Sequence, residues 1–331
     1  MLFLTYDYEY VKDGLGAQYI RIISNIAVAD YYNIKYVHTK LQQMDHLDGT
    51  GVTPDDVEEY FQINSHFDDV NSYSYDHIEK QHSPSIELFN TLLERSKTQN
   101  VLLSLCLPFV ISRQVGVYDA MNEYANKEII IKNKELITKN KKFLKSIVKQ
   151  RPLTFFNKNN RNNTKNIAVH IRRGDIIGNG RYRDVDKQKI IAEINQKYDN
   201  CNIYIFTEIN DKNKDEFNDL NYENVFVIAN ENVIDTFNHM INADVFMFGI
   251  NDSCFSALAS FYNNNSIAPD FNINDEIIFG DNYSPYISDD YYSYEYFYIL
   301  IFIILVVIGL IIVYRNSKSF TKMIRSIVRN K

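Results

Sequence analysis

Short, nearly continuous apolar runs alternate with segments whose apolar residues recur every three or four positions, and this alternation occurs twice along the chain. The first series opens with LFLTY, which reads as a strand. From Tyr19 onward Ile22, Ile23, Ile26, Ala27 and Ala29 share one helical face, and IKYVHT reads as the next strand. Between strand and helix lies the turn Asp13-Gly14-Leu15-Gly16-Ala17-Gln18. Strand, glycine turn, helix, strand is the first unit of a Rossmann-like domain. Residues 45–100 are polar, with His46, His66, His77 and His82 at spacings that fit no metal motif, and are expected to be a solvated insertion. NVLLSLCLPFV reads as a buried strand stopped by Pro108, and Tyr118 to Gln150 carries apolar residues at helical intervals.

The stretch NKNNRNNTKN, low in complexity and hydrophobicity, then predicts a linker over 157–166. After it the pattern restarts. NIAVHI, NIYIFTE, NVFVIA and ADVFMFG read as strands, and Lys187–Lys197, Asp211–Asn218, Asp235–Asn242 and Ser253–Tyr262 as the helices following them. Asp235 is expected to cap its helix. Strand and helix in strict alternation mean a parallel sheet covered on both faces. The predicted class is α/β with a GT-B-like architecture: two Rossmann-like domains facing a cleft, over 1–156 and 167–271.

Beyond residue 271 the pattern changes again. An acidic, Tyr-rich segment over 272–295 leads into YFYILIFIILVVIGLIIVY, residues 296–314, which carries no charge and has the length of a bilayer span. Tyrosines flank it, and the tail 315–331 is basic, with Phe320, Met323, Ile324, Ile327 and Val328 at helical spacing, as in a helix lying on anionic lipid. This predicts a single-pass C-terminal anchor. The basic tail favours a cytosolic tail, whereas MLFLTYDYEY is not a signal peptide and favours a cytosolic main domain. Exporting so large a domain without a signal is the harder requirement, so the expectation is a tail-anchored protein with its main domain in the cytosol.

The net charge of −7 argues against a nucleic-acid-binding surface. Cys106, Cys201 and Cys254 form no CxxC pair, so neither a zinc ribbon nor a dithiol motif is present, and buried reduced thiols are expected. No cluster with metal-ligand spacing is seen. The conspicuous chemistry lies in HIRRGD, where Arg172 and Arg173 follow directly on an apolar strand. Ligands of open α/β sheets bind outside the carboxyl ends of strands, and two guanidiniums fixed there suit phosphate oxygens. His170, two positions before Arg172, shares its face of the strand. Three other readings compete: an ion-pair network of the arginines with Asp175 and Asp184, an RGD adhesion tripeptide, and a core histidine at position 170.

DGLGAQ before a helix, HIRRGD at a strand end, and NDSCFSALASFYN after ADVFMFG together resemble the fucosyltransferase-like GT-B superfamily, most closely in motif the α1,2-fucosyltransferases. Where that family has Asn after GLG this chain has Ala17, and in the SSFS-type motif it has Asp252 and an inserted Cys254. The resemblance implies an inverting, metal-independent transferase taking fucose from GDP-fucose, or the sugar of another nucleotide sugar, to a glycan or glycoconjugate hydroxyl, with no cofactor. It implies that Arg172 and Arg173 hold the diphosphate and stabilise the departing GDP, with His170 reaching nucleotide or sugar. Ser253 and Ser256 would present hydroxyls and backbone N–H groups to the phosphates. Gly14 and Gly16 would bring their loop to the ligand, and Thr207 and Glu208 would meet guanine or ribose. Asp175 is the nominal base, or else orients the arginines. The expected partners are thus a nucleotide-sugar donor, a glycan acceptor and membrane lipid. A second class remains open: a non-catalytic module on the same fold that binds a nucleotide sugar or glycan without turnover.

Overall fold

The structure is a computed structural model, and it describes residues 1–6, 13–45, 47, 50–81, 86–105, 140–157, 164–177, 185–250, 253–267 and 278–280. Two sheets form its framework. The first contains β1 (Leu2–Tyr6), β2 (Lys35–Tyr36), β3 (His77–Gln81) and β4 (Val101–Leu105), all parallel, in the order β2-β1-β4-β3. Helix α1 (Leu15–Tyr32) crosses from β1 to β2 and stops where Asn33 takes the left-handed conformation, φ 53°, with its N–H bonded to the carbonyl of Asp30. Every residue of β1 and β4 is buried, which explains their uninterrupted apolar runs.

The expectation of a solvated insertion over 45–100 is not met. The segment holds α2 (Pro54–Phe61), β3 and α3 (Ile86–Arg95), besides two short 3-10 turns. Helix α2 starts at a reciprocal capping box of Thr53 and Asp56, with Pro54 in its first turn. Strand β3, HIEKQ, is half polar because among the described residues it is an edge of its sheet, pairing with β4 alone. Its polarity therefore reads as loop when burial is judged by sequence alone.

The second sheet contains β5 (Lys165–Ile171), β6 (Cys201–Thr207), β7 (Val225–Ala229), β8 (Val245–Ile250), β9 (Asn265–Ile267) and β10 (Ile278–Gly280), in the order β10-β9-β8-β5-β6-β7. All neighbours are parallel except β10 with β9. Strand β5 begins at Lys165, inside the expected linker 157–166. Its connecting helices are α6 (Lys187–Lys197), α7 (Val233–Ile241) and α8 (Cys254–Tyr262). Before β5 come α4 (residues 140–147) and the single turn α5 (Thr154–Asn157).

Two local expectations are corrected. Residues 211–219 form consecutive turns, not a helix: Asn213, Glu216 and Asn218 each donate their N–H to the carbonyl three residues back. Asn and Asp side chains compete for the backbone there, since Asn210 N–H bonds Asn213 Oδ1 and Lys212 N–H bonds Asn210 Oδ1. Helix α7 is capped by Asn232, whose Oδ1 accepts from Ile234 and Asp235 N–H, while Asp235 pairs with Arg151 at 2.6 Å.

Residues 1–285 make one compact unit. One apolar core is shared by helices of both sheets. Tyr19 of α1 stacks on Phe61 of α2 at 3.9 Å, and Phe61 meets Phe237 of α7 at 5.3 Å and Tyr262 of α8 at 5.7 Å. A second core lies under the far face of the second sheet, around Ile167, Val169, Ile190, Ile194 and Ile203. Among the described residues no helix is long and apolar enough to cross a membrane; the expected span 296–314 and tail 315–331 lie outside the described residues, and of the expected segment 272–295 only β10 is described.

Candidate functional site

The strand order of the second sheet reverses between β5 and β8: β6 and β7 lie to one side of β5, and β8 and β9 to the other. That is the topological switch point where open α/β sheets bind ligands at the carboxyl ends of their strands. Arg172 and Arg173 follow β5, and Ser253 follows β8 at the start of α8, so HIRRGD and the serine motif meet there. A register irregularity between Val169 and Ile171, opposite β8, marks the strand just before the arginines.

His170 joins the two motifs. Its Nδ1 and Ser256 Oγ share a 2.6 Å hydrogen bond, and its ring meets Phe255 edge-on at 5.5 Å. Burial first, and the charge of Arg172 second, push its pKa down to about 3. The imidazole is therefore neutral and a weak base, and it ties β5 to α8. Because its pKa lies below the unfolded value of about 6.5, the stability it contributes is complete above that value and is lost as pH falls toward about 3. Between pH 7 and pH 5 this amounts to about 2 kcal/mol. His170→Asn should remove that part of the pH dependence in urea unfolding. An unchanged difference between the two pH values would show that the ring is not held neutral.

The two arginines diverge. The Arg173 side chain is 0% exposed and is taken up by Glu216: Nε donates to both carboxylate oxygens at 2.7 Å, and Nη2 bonds Oε1. Arg173 is thus engaged in a buried ion pair, whereas Arg172 is a partly buried residue. Among the described side chains the acid engaged is Glu216, which sequence reasoning missed; Asp184 and the side chain of Asp175 lie outside the described residues. Glu216 lies 43 residues from Arg173 in an Asn/Asp-rich run, with nothing local to single it out. Gly174 turns the chain directly after Arg173 at φ +66°, and a Cβ there would fall 2.0 Å from Glu208 Oε2. Glu208 thus lies against this turn, whereas Thr207 Oγ1 donates to the Ile171 carbonyl at 2.9 Å and fastens β6 to the end of β5. The backbone of Asp175 lies in the 3-10 turn Gly174–Ile176, and Arg181, Arg183 and Asp252 lie outside the described residues.

Ser253 caps α8, its Oγ accepting from Ser256 N–H at 3.3 Å. Against this helix start comes that of α1, whose N-cap, Gly14, supplies no side-chain bond. A Cβ on Gly16 would lie 2.3 Å from Phe255 N and 2.4 Å from the Cys254 carbonyl carbon. Gly16 therefore serves the junction of the two helices. Gly14 is held instead through a bridge to Asp45, and Gln18 Nε2 donates to the carbonyls of Asp13 at 2.7 Å and Gln43 at 3.1 Å. Gln18 and the Arg21–Asp13 ion pair, 2.6 Å, order this turn; Gln18 closes the DGLGAQ motif but carries no sequence signal of its own. Cys254 stands between the two sets of charges: burial pushes its thiol pKa up, against the pull of Arg172 and Arg21. Among the described residues no group of three or more His, Cys, Asp or Glu side chains could hold a metal ion.

The fold and the site define a parallel α/β protein with two sheets and a cationic switch point. No family model matches the chain, and no curated protein matches it in sequence. Among solved structures it is similar to the α-1,6-fucosyltransferase NodZ from Bradyrhizobium, soaked with GDP-fucose, with 12% identity over 83% of this chain and 98% of that one and a TM-score of 0.42. It is also similar to Arabidopsis thaliana FUT1 in complex with GDP, with 10% identity, coverage of 82% and 71%, and a TM-score of 0.43. POFUT1 in complex with GDP gives 14% identity, coverage of 79% and 94%, and a TM-score of 0.42.

Proposed function

We propose that this chain is a membrane-anchored, GT-B-like glycosyltransferase that moves a sugar, fucose by the resemblance of HIRRGD, from a nucleoside-diphosphate donor to a glycan hydroxyl. The observation that carries this reading is the placement of Arg172 after β5 and of the N-terminus of α8 after the neighbouring β8, with the charge of Arg172 acting on Cys254 at that helix start. A guanidinium and a helix start offer charge-assisted and backbone donors to one diphosphate. Their greatest effect falls where negative charge grows on the leaving phosphate, without a metal. Asp175 is the nominated carboxylate for the acceptor hydroxyl, and inversion would follow from a single displacement.

The test is thermal unfolding of the full chain with GDP, UDP, ADP, CMP and GDP-fucose. A ligand at a hundredfold excess over its dissociation constant stabilises by about 2.7 kcal/mol. Stabilisation by GDP and GDP-fucose, undiminished by a chelator, is the expected result. Stabilisation by UDP alone would replace the donor, and no shift with any nucleotide would sink the diphosphate site. The low basicity of His170 and the bond of its Nδ1 to Ser256 favour a second reading, a module that binds the donor without turnover, because they leave this imidazole a poor proton acceptor. Donor hydrolysis or transfer, followed by release of GDP, separates the two.

A further inference from the structure

We propose that Glu216 is a positioning residue for the diphosphate site, holding Arg173 and through it the main chain from which Arg172 projects. The inference rests on reading Arg172 as the diphosphate-binding cation. Arg173 has two jobs in the structure. Its Nε and Nη2 are bonded to Glu216, and its Nη1 donates to the carbonyl of Arg172 at 3.0 Å. That carbonyl lies one residue beyond the end of β5, at the point where the chain leaves the sheet and turns at Gly174, φ +66°.

Glu216 is itself anchored to the neighbouring strand. Its N–H bonds the carbonyl of Asn213 at 3.0 Å, and Asn213 Nδ2 donates to the carbonyl of Glu208, just past β6, at 2.9 Å. A bonded line thus runs from the end of β6 through Asn213, Glu216 and Arg173 to the main chain of Arg172. Lys187 Nζ lies 3.6 Å from Glu216 Oε1, so the carboxylate sits between two cations. Without it, Arg173 would be a buried charge lacking this partner, which the interior tolerates poorly. The bond from Arg173 Nη1 to the Arg172 carbonyl would be lost with it.

The experiment is GDP titration by calorimetry on the full chain, with urea unfolding in parallel, for the wild type, Glu216→Gln and the double variant Arg173→Met, Glu216→Met. Wild type should bind GDP, and Glu216→Gln should bind about tenfold more weakly or worse. The double variant replaces a buried ion pair by apolar side chains of similar volume, a change often neutral or stabilising. It should unfold like the wild type yet bind GDP as weakly as Glu216→Gln, because the bond to the Arg172 carbonyl is gone. If the double variant recovers wild-type GDP affinity along with stability, Glu216 serves the fold alone and the proposal falls. Equal affinity of Glu216→Gln and wild type would overturn it too, leaving the diphosphate reading intact. A wild type that binds no nucleoside diphosphate removes that reading, and this proposal with it.

Discussion

Arg172→Ala is expected to weaken GDP binding about tenfold to a hundredfold, the loss of one or two hydrogen bonds to a charged group. Turnover should fall further, by roughly 10²–10³, because negative charge grows on the leaving diphosphate between the ground state and the transition state. The fold should survive. The Arg172 side chain is half-buried, and the buried ion pair beside it belongs to Arg173 and Glu216. Calorimetric titration with GDP and a urea unfolding curve check the two halves of the expectation together. Wild-type affinity in a folded Arg172→Ala variant would take the cation out of the site and leave HIRRGD a structural motif.

Gly16→Ala should cost stability in a way no surface position does. The added carbon would fall within 2.5 Å of three atoms: Phe255 N and Cα and the Cys254 carbonyl carbon. All three are backbone, so no side chain can swing aside. Relief requires α8 to move away from α1, which opens the aromatic core of Tyr19, Phe61, Phe237 and Tyr262. Overpacking of this kind costs about 1–3 kcal/mol and here should reach the upper end or pass it. Thermal unfolding should occur about 6–12 °C lower. GDP binding should weaken as well, since α8 carries Ser253. An unfolding temperature equal to wild type would mean that the helices have room to part.

Several features of the site were legible in the chain, for identifiable reasons. Arg172 stood out because two cations directly follow an apolar strand, at the end of a sheet where ligands of open α/β folds bind. Ser253 was legible as a helix start from the apolar run behind it, and it caps α8. The different fates of Arg172 and Arg173 were not legible. They depend on the chain leaving β5 through a turn at Gly174 and on an acid 43 residues away. The glycine turn was readable either as a loop brought to a ligand or as a packing turn; Gly16 packs against the start of α8, because glycine marks a close approach without saying to what.

Local chemistry thus determined the alternation of strand and helix, and with it the parallel sheets, since buried parallel strands need continuous apolar runs and helices need a recurring face. It also placed the arginines at the end of β5. It misplaced β3 and the turns of 211–219, where edge exposure and Asn/Asp side-chain bonding weaken the periodic signal. Only the tertiary structure decided the strand order, and therefore which strand ends flank the switch point. It alone joined His170 to Ser256, Arg173 to Glu216, and α1 to α8. These pairings span long stretches of chain, and their partners are chosen by packing geometry, of which composition and spacing carry no record.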